Sequence, residues 1–216
     1  MSRTLKTDFL GPDRRVSIDE AREKGWEALF APDLSSPPPL RLVVELGFGR
    51  GEFLRGLAAA APEAAHVGID RSHRRVLKLA RRIARTEERN IRLIDARAED
   101  LVQGALAEAS VSCCWINFPD PWPKKRHQRR RLVQPDFVAL LATRLVSGGE
   151  LQLATDHVGY AEQIAAVLSA EPRLENALAT PFVAEVPGRP CTAYEAMWRA
   201  EGRPLHFFSY RRRSTA

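Results

Sequence analysis

An acidic residue held between two prolines is the part of this sequence best suited to chemistry. Asp120 lies in the run N-F-P-D-P-W-P over residues 117–123, directly after an apolar stretch at 111–116. Each proline fixes its own φ and pushes the preceding residue toward an extended backbone, so the Asp120 carboxylate should sit in a stiff loop. Six of the eight residues after Pro123 are Lys or Arg. This combination predicts a catalytic edge that meets a polyanion, although a charge run alone is equally consistent with a solvated surface.

A second group of residues has the types and spacing of a ligand-binding crevice. The apolar run 42–46 leads into E-L-G-F-G-R-G at 45–51, and glycines at a strand-to-helix turn allow a ligand to approach the backbone closely. Asp70 ends the next apolar run, 19 residues after Gly51, and Asp95 ends the one after that. Any one of these residues can simply terminate a strand. As an ordered set at successive strand ends, they predict a crevice in which Asp70 accepts hydrogen bonds from ribose hydroxyls.

The spacing of the glycines narrows the choice of cofactor. A dinucleotide turn has G-x-G-x-x-G, whereas this turn has G-x-G-x-G and places Glu52 where the third glycine would stand. Glu45 and Glu52 would repel a diphosphate and suit a cofactor that carries positive charge and an amino-acid end. The turn resembles motif I of the class I S-adenosylmethionine-dependent methyltransferases. That resemblance implies a cofactor site with Glu45 at the turn, Gly47 and Gly49 beside the methionine portion, Asp70 on the ribose and Asp95 near the adenine.

Alternating strand and helix patterns indicate the elements that position these residues. They predict an α/β fold with a doubly wound, mostly parallel sheet and helices on both faces, and the resemblance to class I methyltransferases implies a Rossmann-like sheet of seven strands. The predicted strands are 42–46, 66–70, 91–95, 111–116, 150–154 and 205–211, and the region 173–186 is ambiguous. The predicted helices are 52–61, 72–86, 98–109, 135–145, 157–169 and 193–202. We expect residues 41–216 to form a single methyltransferase domain, and residues 1–40 a poorly structured leader with a short helix near Trp26.

Composition and charge limit the functional classes. The chain has 216 residues, a formal net charge of +6 and a pI near 9.6, and its excess cations concentrate at 71–85, 124–131 and 211–213. Concentrated positive charge favours a polyanionic partner. No apolar run approaches the roughly 18–20 residues of a membrane span and no signal peptide is recognisable, so we expect no membrane contact. The three cysteines lack metal-ligand spacing and an even number, which predicts no metal and fits a reducing cytoplasm. We expect a monomer or a homodimer.

Five motifs in a fixed order resemble those of one enzyme family. E-L-G-F-G-R-G, G-I-D at 68–70, N-F-P-D-P-W-P-K-K-R-H at 117–127, A-T-D at 154–156 and T-A-Y-E at 192–195 resemble the bacterial tRNA (guanine-N7)-methyltransferase family (TrmB type), over roughly residues 40–210. That family methylates N7 of a guanosine in the tRNA variable loop, at position 46. The resemblance implies that Asp120 contacts S-adenosylmethionine and is catalytic. It implies substrate contacts at Lys124, Asp156, Thr192, Ala193, Tyr194 and Glu195, and RNA contacts at Arg126, His127, Gln128, Arg129, Arg130 and Arg131.

The chemistry of such a reaction suits these residue types. N7 of guanine carries a lone pair in the ring plane, so an enzyme mainly has to align that lone pair with the methyl–sulfur bond and exclude water. Methyl transfer moves positive charge onto the purine, and a carboxylate such as Asp120 would favour that movement. Trp122 is a candidate for stacking on an exposed base, but packing against its own loop is the favoured interpretation.

Two other functions stay open at the level of the sequence. A methyltransferase for a small molecule would use the same fold, but it would need no dense basic surface. A non-enzymatic RNA-binding protein with a relic fold would have no need for the intact residues Gly47, Gly49, Asp70, Asp95 and Asp120. Strong salt sensitivity of the activity would favour an RNA substrate over a small molecule. Failure to bind S-adenosylmethionine would indicate the non-enzymatic RNA-binding protein.

Overall fold

Seven strands form one sheet in the computed structural model, which describes residues 10–35, 39–86 and 88–214. The strands are β1 (Leu42–Leu46), β2 (Ala65–Asp70), β3 (Ile91–Asp95), β4 (Val111–Asn117), β5 (Leu145–Thr155), β6 (Leu174–Asn176) and β7 (His206–Arg212). Their order is β3-β2-β1-β4-β5-β7-β6, with β1 to β5 parallel and β7 antiparallel to both of its neighbours. The predicted α/β class and the mostly parallel sheet of seven strands are confirmed.

Helices connect and flank these strands. They are α1 (Ile18–Lys24), α2 (Trp26–Phe30), α3 (Glu52–Ala60), α4 (His73–Ile83), α5 (Ala98–Gly104), α6 (Pro135–Arg144), α7 (Val158–Ala170) and α8 (Ala193–Ala200), with a 3-10 helix at Lys125–Arg130. Pro135 begins α6 at a position where its missing N–H is not needed, and the Thr192 side chain caps α8. Within the described ranges, no helix has the length and apolar character needed to cross a membrane.

Several elements differ in their bounds from the predictions. Helix α5 ends at Gly104 rather than near residue 109. The ambiguous region contains the short strand β6, which pairs with the end of β7. Strand β5 begins at Leu145, and the predicted Gly148-Gly149 turn lies inside it as an irregularity: Val111 pairs with Leu145 but Cys113 pairs with Glu150. Strand β5 pairs with β4 both before and after the Gly148-Gly149 turn, so this turn interrupts the strand without ending it.

Alternate residues of the central strands pack on opposite faces of the sheet, as the pleat requires. On one face Val44 and Leu46 belong to the main core, together with apolar side chains of α1, α2, α5, α6 and α7. On the other face Val43 packs with Phe53 of α3, helix α4 forms an adjoining cluster, and Trp198 of α8 packs near Phe207. Helices therefore cover both faces, and the loops at the carboxyl ends of the parallel strands are free to form a site.

The segment 10–35 forms α1 and α2 and contributes Val16, Ala21, Trp26 and Phe30 to the core, in contrast to the predicted poorly structured leader. The side chains of Trp26 and Phe30 are buried, and Trp26 Nε1 donates a 2.8 Å hydrogen bond to the carbonyl oxygen of Ala105. The guanidinium of Arg92 lies 4.5 Å from the centre of the Phe30 ring and donates to Asp33 at 2.6 Å. The short helix expected near Trp26 is confirmed. Residues 1–9 and 36–38 lie outside the described residues.

The same segment covers the edge of the sheet at β3. The N–H of Val16 donates to the carbonyl of Leu93 at 2.9 Å, and the N–H of Leu93 donates to the carbonyl of Arg14 at 3.0 Å. An uncovered edge strand would present unpaired backbone groups to other chains. The N-terminal segment thus completes the sheet as well as its core.

Replacing Trp26 by alanine tests this structural role. Trp26→Ala removes a buried ring and a buried hydrogen bond, so it should lower the free energy of unfolding by about 3–5 kcal/mol. Leu10→Ala, which truncates a side chain that is 80% exposed, should change it by less than about 0.5 kcal/mol. Urea denaturation followed by circular dichroism measures both values, and equal small effects would show that α2 adds nothing to the core.

Candidate active site

The glycine turn between β1 and α3 has a backbone that only glycine adopts easily. Gly47, Gly49 and Gly51 all have positive φ, at 83°, 59° and 77°. At Gly51 a Cβ atom would also lie 2.3 Å from the side chain of Leu79 in α4, so the turn packs directly on that helix. This close packing fixes the turn at the carboxyl end of β1, where ligands bind in open α/β sheets.

Asp70 at the end of β2 holds the glycine turn in place. Its carboxylate accepts hydrogen bonds from the N–H of Gly49 at 3.0 Å and from the N–H of Ser72 at 2.8 Å. The Asp70 side chain is almost fully buried, and Arg75 of α4 lies 3.5 Å away. A hydrogen bond therefore joins the glycine turn to Asp70, the two parts of the predicted cofactor site.

Asp95 ends β3 and pairs in register with Asp70 of β2, at the strand end where the sequence placed it. Its carboxylate bonds to the Nδ1 atom of His73, and it is not among the residues that line the two described cavities. The next four residues, 96–99, line the larger cavity instead. They were not predicted as site residues, although their place directly after the end of β3 was a signal for them. Contact between Asp95 and adenine stays a prediction.

The loop after β4 presents Asp120 between two residues of unusual backbone conformation. Phe118 and Trp122 have φ values of 49° and 41°, in the left-handed region that non-glycine residues rarely adopt. Such residues cost on the order of 1–3 kcal/mol each and concentrate at functional sites. The Phe118 N–H donates to the carbonyl of Ala154 at 2.8 Å, which ties the loop to β5. Asp120 itself is exposed, and its carboxylate lies 3.4 Å from the Arg71 guanidinium.

Two cavities meet at this loop. The larger has a volume of about 680 Å³ and is lined in part by Gly47, Asp70 and the segment 96–99. The smaller has a volume of about 390 Å³ and extends from Glu45 and the glycine turn to α8. Residues shared by both linings are Gly47, Arg75, Asn117, Phe118, Pro119 and Asp120. Asp120 therefore lies on the wall between two spaces, each large enough for part of a two-substrate reaction.

The smaller cavity brings together three of the predicted substrate contacts. Asp156 follows β5, and Thr192 and Tyr194 lie at the start of α8; all three line this cavity. Asp156 lies 3.8 Å from the Arg203 guanidinium, and the Tyr194 side chain is exposed, with its ring 6.5 Å from that of Trp198. Thr192 is buried, and its hydroxyl accepts a hydrogen bond from the N–H of Glu195 at 2.9 Å. The backbone of Ala193 begins α8.

A buried arginine that sequence analysis missed links the strand ends to α8. The Arg189 side chain is 4% exposed; its Nη1 donates to Glu195 at 2.7 Å and its Nη2 donates to the Oδ1 atom of Asn117. The guanidinium lies 4.7 Å from the centre of the Phe207 ring and 5.5 Å from that of Trp115. No local pattern marks Arg189 as buried; the only hint is its place three residues before Thr192.

Glu195 forms its observed ion pairs and hydrogen bonds with residues of the protein itself. It is buried, it receives Arg189 and Arg199, and its side chain accepts a hydrogen bond from the backbone N–H of Thr192. Glu195 and Lys124 are not among the residues lining the two described cavities. Their predicted substrate contacts stay predictions, and the observed role of Glu195 is to hold the first turn of α8.

Glu45 completes the chain of contacts on the cofactor side. Its Oε1 accepts from Asn117 Nδ2 at 3.3 Å, while its Oε2 is buried without a hydrogen-bond partner among the described residues. Burial raises the pKa of Glu45 to about 7, against the opposing influence of Asn117 and Arg189. Glu45 also lines the smaller cavity, and its contact with a cationic cofactor stays a prediction.

The basic segment after Pro123 divides into exposed and buried parts. Arg126 is exposed, and Arg129 and Arg130 line the larger cavity beside Trp122. Trp122 packs within its own segment, with the Arg130 guanidinium 5.2 Å from its ring centre and the His127 ring edge-on at 5.9 Å. The carbonyl of Gln128 accepts hydrogen bonds from within the protein, from Gln134 Nε2 and from the N–H of residue 131. The surface next to Asp120 is therefore strongly cationic.

Arg131 differs from the other arginines of the basic segment, and its predicted contact with RNA stays a prediction. This side chain is buried: its Nε donates to the carbonyl of Pro121 at 2.7 Å, and its Nη1 donates to Gln163 at 2.6 Å and to the carbonyl of Gly159 at 3.1 Å. Its guanidinium also lies over the ring of Tyr160. Arg131 thus anchors the Asp120 loop to α7, while its Nη2 atom is buried without a hydrogen-bond partner among the described residues.

Several known proteins are similar to this chain in sequence. A family model described as "Putative methyltransferase" matches residues 40–208. The tRNA (guanine-N(7)-)-methyltransferase of Thiobacillus denitrificans is 41% identical over 171 residues, which cover 79% of this chain and 75% of the relative. That of Mycolicibacterium paratuberculosis is 34% identical over 220 residues, covering 93% of this chain and 85% of the relative.

Solved structures agree on the fold. An antibiotic-related methyltransferase superposes with a TM-score of 0.58 at 19% identity, covering 92% of this chain and 95% of that one. The 16S rRNA methyltransferase KamB gives a TM-score of 0.59 at 14% identity, covering 91% and 92%. At these identities the structures show the class I methyltransferase fold alone, whereas the sequence relatives show the family. The chain belongs to the tRNA (guanine-N7-)-methyltransferase family.

Proposed function

We propose that this protein transfers the methyl group of S-adenosylmethionine to N7 of a guanosine in the tRNA variable loop, at position 46. The names of its relatives support the reaction and the class of RNA. The observation that carries the proposal is the position of Asp120 on the wall shared by the two cavities. A donor that extends from the larger cavity along the glycine turn and an acceptor base at the α8 end of the smaller cavity would meet beside this carboxylate.

The donor fits the side of the site formed by the glycine turn. Asp70 and the segment 96–99 line the larger cavity, at the strand ends where the adenosine of the cofactor would lie. The unpartnered Oε2 of Glu45 would accept a hydrogen bond from the ammonium group of the methionine portion. S-adenosylmethionine supplies the methyl group when bound, and the residues of the chain bind it, orient it and exclude water.

The acceptor guanosine fits the end of the smaller cavity formed by Asp156 and α8, opposite the part beside Glu45 and the glycine turn. Asp156 offers a carboxylate to N1–H and the exocyclic amine of guanine, and the exposed ring of Tyr194 offers a surface for stacking. Since N7 needs no deprotonation, the main tasks are alignment and electrostatics. The Asp120 carboxylate favours the developing positive charge on the purine. The substrate contacts assigned to Lys124, Ala193 and Glu195 remain part of the proposal by resemblance alone.

A direct assay tests this function. The protein is incubated with unmodified tRNA transcripts and labelled S-adenosylmethionine, and the product is digested to nucleosides and mapped. We expect 7-methylguanosine at position 46 and none in a transcript in which that guanosine is replaced by adenosine. Labelling of a small molecule instead of RNA, or the absence of 7-methylguanosine, would refute the proposal.

Replacing Asp120, the acid between the prolines, should lower the rate of methyl transfer while leaving the affinity for tRNA largely unchanged. Asp120→Asn keeps the shape of the side chain but not its charge, and should lower kcat roughly 10²–10³-fold, with a small change in KM for tRNA. Glu108→Gln removes an exposed carboxylate outside the cavities and serves as the control. Single-turnover kinetics at saturating tRNA measures the effect. Retained activity in Asp120→Asn would make Asp120 a structural residue only.

The two parts of the basic segment should respond differently to neutralisation. In Lys125→Gln/Arg126→Gln/Arg129→Gln the loss of exposed cations should raise KM for tRNA and reduce the slope of log affinity against log salt by about 2–3. In Arg131→Gln the slope should stay unchanged, while the free energy of unfolding falls by about 1–3 kcal/mol, because buried carbonyls lose their donor. Filter binding over a salt series and urea denaturation distinguish the two outcomes. A reversed pattern would contradict the assignment.

The raised pKa of Glu45 predicts a pH-dependent affinity for the donor. Below about pH 7 the buried carboxyl is protonated in the free protein, and it must lose that proton to accept the cationic ammonium. Affinity should therefore rise with pH between 5.5 and 7, by up to roughly tenfold per pH unit, while the amine of the donor stays protonated. Glu45→Gln should bind more weakly and show no such slope. Calorimetric titration at several pH values tests this, and parallel slopes would rule out Glu45.

A further inference from the structure

Helix α4 carries a stripe of cations that the proposed reaction does not use. Arg74, Lys78 and Arg82 of α4 and Arg85, two residues beyond its end, are all exposed and are here called the α4 stripe. The four-residue spacing places Arg74, Lys78 and Arg82 along one side of the helix, over about 12 Å at 1.5 Å per residue, and Arg85 continues the series. The opposite side of α4 is apolar and fully packed: Val76, Leu77, Leu79, Ala80 and Ile83 are buried.

Few acidic residues lie close enough to neutralise the cations of the α4 stripe. No Asp or Glu occurs between residues 71 and 86. Among the described residues, Arg74, Lys78 and Arg85 form no ion pair, whereas Arg82 lies 4.0 Å from Glu52. Like charges four residues apart on a helix destabilise it by about 0.2–0.5 kcal/mol per pair. A helix face that accumulates such repulsion is suited to an anionic partner.

The stripe begins at the candidate active site. Arg75, in the first turn of α4, lines both cavities, and Arg71, just before the helix, lies 3.4 Å from Asp120. Glu52, beside Arg82, lines the smaller cavity. A polyanion that places one nucleotide in the site would therefore extend along α4 without crossing an acidic surface of that helix.

We infer that the α4 stripe is a second docking surface for the phosphate backbone of the RNA substrate, in addition to the basic segment after Pro123. The inference rests on the proposed function and extends it to the body of the tRNA. An anionic membrane fits less well, because a helix that lies on a bilayer inserts an apolar face, and the apolar face of α4 is buried in the protein. Cations spaced along a helix suit successive phosphates, which need no apolar contact.

The test compares two triple variants with the same loss of charge. Arg74→Gln/Lys78→Gln/Arg85→Gln should leave kcat at saturating tRNA and the affinity for S-adenosylmethionine unchanged. It should raise KM for tRNA roughly tenfold or more and lower the salt slope by about 2–3. The control, Arg173→Gln/Arg211→Gln/Arg213→Gln, removes exposed cations at the β6–β7 end of the sheet, far from β2 and β3 in the strand order. It should change KM less than about twofold, because exposed ion pairs contribute little.

The outcomes separate this inference from the proposed function. If the unmodified protein forms no 7-methylguanosine, the proposed function fails. If it does so and the α4 variant keeps the KM and salt slope of the parent, only the α4 inference is overturned. An equal effect of both variants would indicate a response to net charge and would also overturn it. Circular dichroism verifies that the variant is folded, and loss of binding to phosphatidylserine vesicles with an unchanged KM for tRNA would assign the stripe to a membrane instead.

Discussion

The candidate site depends on one buried cation. Arg189 lies among aromatic side chains, where an unpaired charge would be strongly unfavourable, so it must keep its partners. Those partners are Asn117, the last residue of β4, and Glu195, in the first turn of α8. Because Asn117 also donates to Glu45, a single guanidinium fixes the spacing between the glycine turn, the start of the Asp120 loop and the helix that carries Thr192 and Tyr194.

The Asp120 loop is held from its other end by a second buried arginine. Two left-handed aromatic residues and two prolines leave this loop few alternative conformations, but they are unfavourable unless packing compensates for them. Arg131 supplies part of that compensation, since it bonds the carbonyl of Pro121 to side-chain and backbone groups of α7. The basic run thus combines a structural anchor with the exposed cations that surround the larger cavity.

The N-terminal segment shows where sequence reasoning fails. The strands of the sheet were predictable because parallel strands buried on both faces are continuous apolar runs. Residues 10–35 have no such run, and their order comes from partners far away in the chain: Trp26 bonds to Ala105, and Asp33 receives Arg92. The 3-10 helix at Lys125–Arg130 was missed for a related reason, since it is short and has no buried residue to create a period.

The α/β fold, the row of glycines and acids at the strand ends and the stiff position of Asp120 could be read from the sequence, because they follow from local backbone chemistry and from the spacing of apolar residues. Which charged groups face the cavities depends instead on how the chain packs. This packing turned Asp95 to His73, buried Arg131 and Glu195, and placed Arg189 at the centre of the site. The direction and burial of a charged side chain depend on neighbours distant in sequence, and no pattern of residue types along the chain records them.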